Sequence, residues 1–332
     1  MSADTNPAWG KRALFYVATL AAVYGLGLVA EWVLIEYVQR IVLLAGINVI
    51  LAVGLNLING TTGQFSIGHA GFMAVGAYGT AYFATALRPL FGSAPGADAL
   101  TFNVALLIGA GLAGLAGLLV GIPSLRLKGD YLAVVTLGFG EIIRILFNNA
   151  KFLGAATGYF GNDPSGLPSY TTFFWVYVWA ALIVLLMRNL TFSQTGRSLA
   201  AIREDEIAAE AMATPTTRLK VLAFTLSAAS AGIAGGLFAH MQSGIRPEDF
   251  KFEKSIDMIV MIIVGGLGSI TGAVVGGIFV AVTLELMRDL SQYRLVIYAL
   301  LLIVIMLVRP EGLFGTRELP ALLARFRKRS TP

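Results

Sequence analysis

Residues 41–87 read IVLLAGINVILAVGLNLINGTTGQFSIGHAGFMAVGAYGTAYFATAL, 47 consecutive positions without an Asp, Glu, Lys or Arg, bounded by Arg40 and Arg88. A helix needs about 20 apolar residues to cross a hydrocarbon core. The run is too long for one crossing and predicts two, joined by a break at Gly60, Gly63, Gly68 and Gly71.

The same pattern extends outward from this stretch. Uncharged runs of 18 (13–30), 27 (99–125), 24 (164–187), 25 (221–245) and 27 (258–284) residues follow the same rule. Of the 332 residues 57% are hydrophobic and 13% charged, against about 25% charged in ordinary soluble domains. This excludes a soluble enzyme and a disordered chain alike. The 38 glycines scattered through the apolar runs do not fit the alternating strands of a barrel; they fit helices whose backbones approach closely. The fold expected is therefore an all-α polytopic membrane protein.

Ten passes fit the runs: 13–33, 41–58, 70–87, 103–121, 131–148, 172–189, 220–240, 257–266, 271–287 and 293–308. The first reads as a retained span rather than a removed signal peptide. With an even count and a cytoplasmic N-terminus, inside segments hold 15 of the Lys and Arg residues and all others 9, as the positive-inside rule requires. Both termini are then cytoplasmic, and the Gly-, Asn- and Pro-containing loop 154–170 faces the opposite side. Residues 258–284 are either two short spans or a re-entrant hairpin; Gly265, Gly266, Gly268, Gly272, Gly276 and Gly277 allow either, and both keep the parity. The chain reads as a single membrane domain, 1–332, with a cytoplasmic loop at 189–219 and a basic tail at 309–332.

That loop is the most informative polar stretch. Arg203, Glu204, Asp205 and Glu206 lead into Ile207, Ala208, Ala209, Glu210, Ala211, Met212 and Ala213, with Pro215 ending an Ala-rich helix. Apolar Leu199, Ile202, Ile207 and Met212 beside so many charges suggest a docking element for a cytoplasmic partner. A solvated connector is the other reading.

Glu141 lies ten residues past Tyr131, about 15 Å along a helix and hence near the membrane midplane, with Arg144 one turn on. Glu285 and Arg288 repeat the spacing. Such pairs fix helix packing or mark a transport path. His69, with Asn56, Gln64 and Ser66 close by in sequence, either lines a polar pathway or hydrogen-bonds backbone freed near a helix start.

The chain has no cysteine, which removes disulfides, thiolate chemistry and Cys-bound metals, and it has two histidines, His69 and His240. No P-loop, catalytic triad or paired-carboxylate motif is visible, so no catalytic, metal or cofactor site is expected.

Five collinear segments carry a resemblance: 54–78 (GLNLINGTTGQFSIGHAGFMAVGAY), 124–146 (SLRLKGDYLAVVTLGFGEIIRIL), 196–224 (GRSLAAIREDEIAAEAMATPTTRLKVLAF), 261–279 (MIIVGGLGSITGAVVGGIF) and 309–315 (RPEGLFG). Together they resemble the membrane permeases of ABC importers for branched-chain amino acids, the LivM type. The resemblance implies a non-catalytic inner-membrane subunit with a fold similar to type II importers. It also implies three kinds of partner: a second homologous permease, two cytoplasmic ATPases and a periplasmic solute-binding protein, with no nucleic acid. It places the ATPase-docking segment on Glu206 to Met212; taken with the apolar and charged residues of the same loop, the expected ATPase-coupling residues are Leu199, Ile202, Arg203, Glu206, Ala209, Glu210 and Met212. One position departs from the family pattern, since the usual Gly after the Ala-Met pair is Ala213 here. The expected translocation-path residues are Asn56, Gln64, Ser66, His69 and Glu141. Permeases for urea or short amides are similar in type, and a proton-coupled secondary transporter using Glu141 is the rival from another class; a membrane transferase or hydrolase would need more convergent His and carboxylate groups than this sequence offers.

Overall fold

Each uncharged run from residue 41 onward holds a helix, because in a membrane every backbone N–H and C=O must find its partner within the segment. The computed structural model describes residues 35–91, 96–124, 127, 129–161, 167–287, 293–309, 312, 313 and 315. Its helices are α1 (Glu36–Asn56, running on as a π turn at Leu57–Thr61), α2 (His69–Phe91), α3 (Ala97–Ser124), α4 (Asp130–Asn149), α5 (Phe173–Thr191), α6 (Gln194–Glu204), α7 (Glu206–Ala211), α8 (Thr216–Met241), α9 (Phe252–Gly265), α10 (Ile270–Leu286) and α11 (Arg294–Val308). Each of the nine expected spans after the first overlaps one of these helices. Four stretches, Glu36–Thr61, Ala97–Ser124, Phe173–Thr191 and Thr216–Met241, are long and apolar enough to cross a membrane, and α10 is a shorter apolar helix. The chain is an all-α polytopic membrane protein. The expected first span, most of the basic tail and Arg288 lie outside the described residues.

The centre of the bundle is the pair α1 and α8, the two spans most enclosed by the rest of the chain. α8 lies along α2 and α3, and α1 along α10. Small residues make these approaches possible. A Cβ on Gly76 of α2 would fall inside the backbone of Gly232 on α8, and one on Gly235 would strike the Met73 carbonyl. Without a hydrophobic force between helices in lipid, such close backbone packing and interhelical hydrogen bonds hold the bundle. Ser227 of α8 donates to the Gly54 carbonyl of α1 at 2.7 Å, Tyr177 of α5 to Val42 at 2.9 Å, and the Trp179 indole to Asn103 at 3.1 Å. Phe72 and Phe224 fill the α2–α8 contact edge to face, with ring centroids 5.5 Å apart.

Residues 258–284 form a helical hairpin. Ser269 caps α10 by accepting from Gly272 N at 3.0 Å, and the backbones of Gly265 and Gly272 meet where α9 and α10 diverge. The turn 266–269 sits against Gly60 and Arg203, at the end of the bundle on which α6 lies. Gly312, Leu313 and Gly315 return to the same turn, with Leu313 N donating to the Val264 carbonyl at 2.8 Å.

The opposite end is built from the long loop after α4. Lys151–Leu153 and Ala155–Thr157 are single 3-10 turns, and Tyr159 pairs with Ile245 in a short antiparallel bridge. His240, near the end of α8, makes a 2.9 Å ring hydrogen bond with the Pro168 carbonyl. The 26 residues of α8 separate this loop from α7 by about 39 Å. The described parts of that loop, 154–161 and 167–170, and the segment α6–α7 therefore occupy opposite ends of the bundle.

Candidate functional site

Ser193 caps α6, its hydroxyl accepting from Gly196 N at 3.3 Å. The helix stops at Asp205, whose extended backbone breaks the run and whose carboxylate accepts from Ile207 N at 2.9 Å and Ala208 N at 3.1 Å, capping α7. The Ala-rich stretch expected as one helix is thus two, because an Asp gains more from capping orphan N–H groups than from helix interior. α7 ends in a Schellman motif: Ala213 N donates to Glu210 O at 2.9 Å and Thr214 N to Ala209 O at 3.0 Å. The motif requires a left-handed residue, and Ala213 takes that role at φ +59°. The residue that departs from the expected Gly is therefore a strained alanine in a left-handed turn.

The break at Asp205 separates the apolar residues that the sequence grouped on one face. Leu199 and Ile202 are fully packed against the bundle, and Ala209 is buried too. Ile207 and Met212 are 73% and 82% exposed, and with the exposed Ala208 and Ala211 they form one outward face of α7. Glu206 and Glu210 turn toward α8 and fasten α7 to it. The Lys220 ammonium is 2.6 Å from Glu206, and the Thr216 hydroxyl donates to Glu210 at 2.7 Å. Of the seven expected coupling residues, Leu199, Ile202, Glu206, Ala209 and Glu210 anchor the segment, whereas Met212 faces outward.

Arg203 faces the bundle. Its guanidinium donates to the Gly60 carbonyl at 3.0 Å and to the Glu204 carboxylate at 2.8 Å. A cleft of about 300 Å³ opens beside it, lined by Gln64, Asp130, Arg203, Glu206 and Lys220 among others.

The expected path residues fall into two groups. Asn56 joins the two glycine-rich breaks: its amide donates to the Ser269 carbonyl at 3.2 Å and its oxygen accepts from Gly268 N at 2.9 Å. Gln64, Ser66 and His69 are buried in the first break, where the Gln64 carbonyl oxygen, the Ser66 hydroxyl and both His69 ring nitrogens have no hydrogen-bond partner among the described residues. The reading of His69 as the group that satisfies freed backbone is corrected here, because other side chains do it. Asn59 exchanges two hydrogen bonds with the Ser66 backbone at 3.1 and 3.3 Å, Thr136 accepts from Ile67 N at 3.1 Å, and Ser255 from Ala70 N at 3.2 Å. Sequence reasoning missed Thr136 and Ser255; Thr136 was visible as an isolated hydroxyl in an apolar helix, where it donates to the Ala133 carbonyl at 3.0 Å and still accepts from Ile67 N, whereas Ser255 stands among charged residues and gave no such signal.

Glu141 stands apart from that group. It pairs with Arg144 at 2.8 Å, with side chains 33% and 25% exposed, on a side of α4 that the chain covers only in part. Gly138 on the same helix has open space where a Cβ would be.

Residues 37–308 match the family described as branched-chain amino acid transport system / permease component. The chain is 36% identical to the high-affinity branched-chain amino acid transport system permease protein LivM of Escherichia coli, over 91% of this chain and 75% of that protein. It is 23% identical to the probable branched-chain amino acid transport permease protein LivM of Methanocaldococcus jannaschii, over 86% and 95%. A second type of permease is also similar: LivH of Salmonella typhimurium, at 29% identity over 52% of this chain and 55% of that protein. No solved structure matches the chain. With a membrane bundle for a body and a family match over most of its length, the chain belongs to the branched-chain amino acid permease family of ABC importers, whose members are non-catalytic transport subunits.

Proposed function

We propose that this chain forms one half of the translocation unit of a binding-protein-dependent importer in a bacterial inner membrane, with α7 as the contact through which a cytoplasmic ATPase drives it. One observation carries the reading. The outward face of α7, formed by Ile207, Ala208, Ala211 and Met212, is an exposed apolar tip on a helix whose Glu206 and Glu210 are fastened to α8 and whose Ala209 is buried. A small apolar face with a charged rim is the form of a stable but movable protein contact.

The rest of the assembly follows from that placement. Ten passes put both termini and the loop 189–219 on the cytoplasmic side, and the loop 154–170 on the periplasmic side for a solute-binding protein. The hairpin α9–α10 counts as two passes, since its turn reaches the level of α6. The half-covered face of α4 with the Glu141–Arg144 pair is costly against lipid and is suited to a second, homologous permease subunit. The similarity to LivH-type permeases supports such a partner. The solutes are branched-chain amino acids, as the family description indicates, with permeases for small amides as the nearest alternative.

The test is co-purification. Ile207→Glu and Met212→Glu should each abolish recovery of the ATPase with the membrane subunits, and abolish ATP-dependent uptake of radiolabelled leucine, without changing the yield of the membrane pair. Normal ATPase recovery with both variants would show α7 to be a solvated connector. Uptake driven by a proton gradient without ATP would favour secondary transport, a reading the pairing of Glu141 with Arg144 disfavours because it leaves no free acid there.

A further inference from the structure

The C-terminal end of α1 carries a concentration of carbonyls without intrahelical donors, and with them a partial negative charge. No basic residue lies in the last turn of α1 or of the π turn that extends it. The cation comes instead from 143 positions away: Arg203 donates to the carbonyl of Gly60 at 3.0 Å.

The same side chain touches the second break. A Cβ on Gly63, which sits at φ +69°, would collide with the Arg203 stem, and one on Gly268, at φ +85°, would crowd the guanidinium. Both glycines are needed for backbone conformation and for the passage of this one side chain. Asn56, one turn earlier on α1, ties the end of that helix to the turn 266–269 with two hydrogen bonds. Arg203 therefore lies across the seam between the break 57–68 and the turn 266–269. Two residues further along, Asp205 starts α7 and its exposed apolar face.

We infer that Arg203 is a positioning residue for transport. It relays displacement of α7 to both glycine-rich breaks, holding the end of α1 against the α9–α10 turn in one state of the cycle and releasing it in the other. The inference rests on the reading of α7 as the ATPase contact. It adds a receiver: two glycine-rich places among the described residues where the bundle's helices are interrupted and can change course with little loss of hydrogen bonding.

The experiment uses the complete transporter in proteoliposomes, with both permease subunits, the ATPases and the binding protein, and radiolabelled leucine as the probe. Arg203→Ala should leave ATPase recovery and ATP hydrolysis close to the parent values while leucine imported per ATP falls at least tenfold. Arg203→Lys should restore part of the loss, because an ammonium can reach one carbonyl but cannot bridge to the second break. A structural readout accompanies this. Spin labels on Phe65→Cys and Leu267→Cys, both exposed positions flanking the seam, should report a nucleotide-dependent distance change in the parent that is absent in Arg203→Ala and reduced in Arg203→Lys. If Arg203→Ala is not recovered as a folded complex, Arg203→Lys carries the same measurements. Unchanged import per ATP, or a nucleotide-dependent distance change that persists at its parent size, overturns the inference. Loss of ATPase recovery in Arg203→Ala also overturns it, by making Arg203 part of the docking contact itself. Failure of the underlying reading is seen separately, as normal ATPase recovery in Ile207→Glu and Met212→Glu.

Discussion

Ala213→Gly should strengthen the last turn of α7. Ala213 sits at φ +59° at the C′ position of a Schellman motif, and a left-handed L-residue costs roughly 1–2 kcal/mol. Glycine removes that cost but loses about 0.4–1 kcal/mol through the greater freedom of its unfolded chain. The methyl group removed is exposed, so no packing is lost. The net gain is about 0.5–1 kcal/mol, which corresponds to a two- to fivefold slower local opening. The observable is amide hydrogen exchange at Ala213 and Thr214, whose N–H groups donate to Glu210 and Ala209. Global thermal unfolding is a poor probe, because the turn opens without the bundle. Ala213→Val adds a β-branch to the same conformation and should speed exchange in this turn. Equal or faster exchange in the glycine variant would refute the strain argument.

Gly76→Leu should prevent accumulation of folded protein, because its side chain would have to occupy the Gly232 backbone and would separate α2 from α8; expression with normal yield in detergent would contradict the packing described. Glu141→Gln leaves Arg144 unpaired, costing roughly 2–3 kcal/mol if that face lies at membrane depth, so folded protein should fall severalfold while uptake per folded molecule is retained. Normal abundance with lost uptake would instead place Glu141 in the solute path. Ser255→Ala withdraws the acceptor from Ala70 N at the buried start of α2 and should destabilise the protein by about 1–3 kcal/mol, read as a lower midpoint of thermal unfolding in detergent; an unchanged midpoint would show that this N–H finds another partner.

Much of the architecture was legible in the sequence because membrane solvation acts on single segments. The uncharged run 41–87 split where its glycines indicated, and the runs 99–125 and 221–245 became α3 and α8. What escaped was decided by neighbours. Leu199 and Ile207 are equally apolar in sequence, yet one is buried by the bundle and the other exposed, because Asp205 ends α6 and redirects the chain. Asn56 was readable as an isolated amide in an apolar run, but its target, the backbone of Gly268 and Ser269, lies 212 and 213 positions away. The strain at Ala213 was signalled only by a departure from the family pattern, and its nature needed the backbone geometry.

The central claim is that α7 presents its outward face to the ATPase, and Met212, 82% exposed on that face, reports on it directly. The chain has no cysteine, so Met212→Cys gives one attachment point in this subunit for a short photoactivatable cross-linker in the assembled transporter. The account predicts cross-linking to the ATPase subunit, and protection of the thiol from a membrane-impermeant reagent when the ATPase is bound. A thiol that stays fully reactive in the assembled complex and cross-links to no ATPase would contradict it.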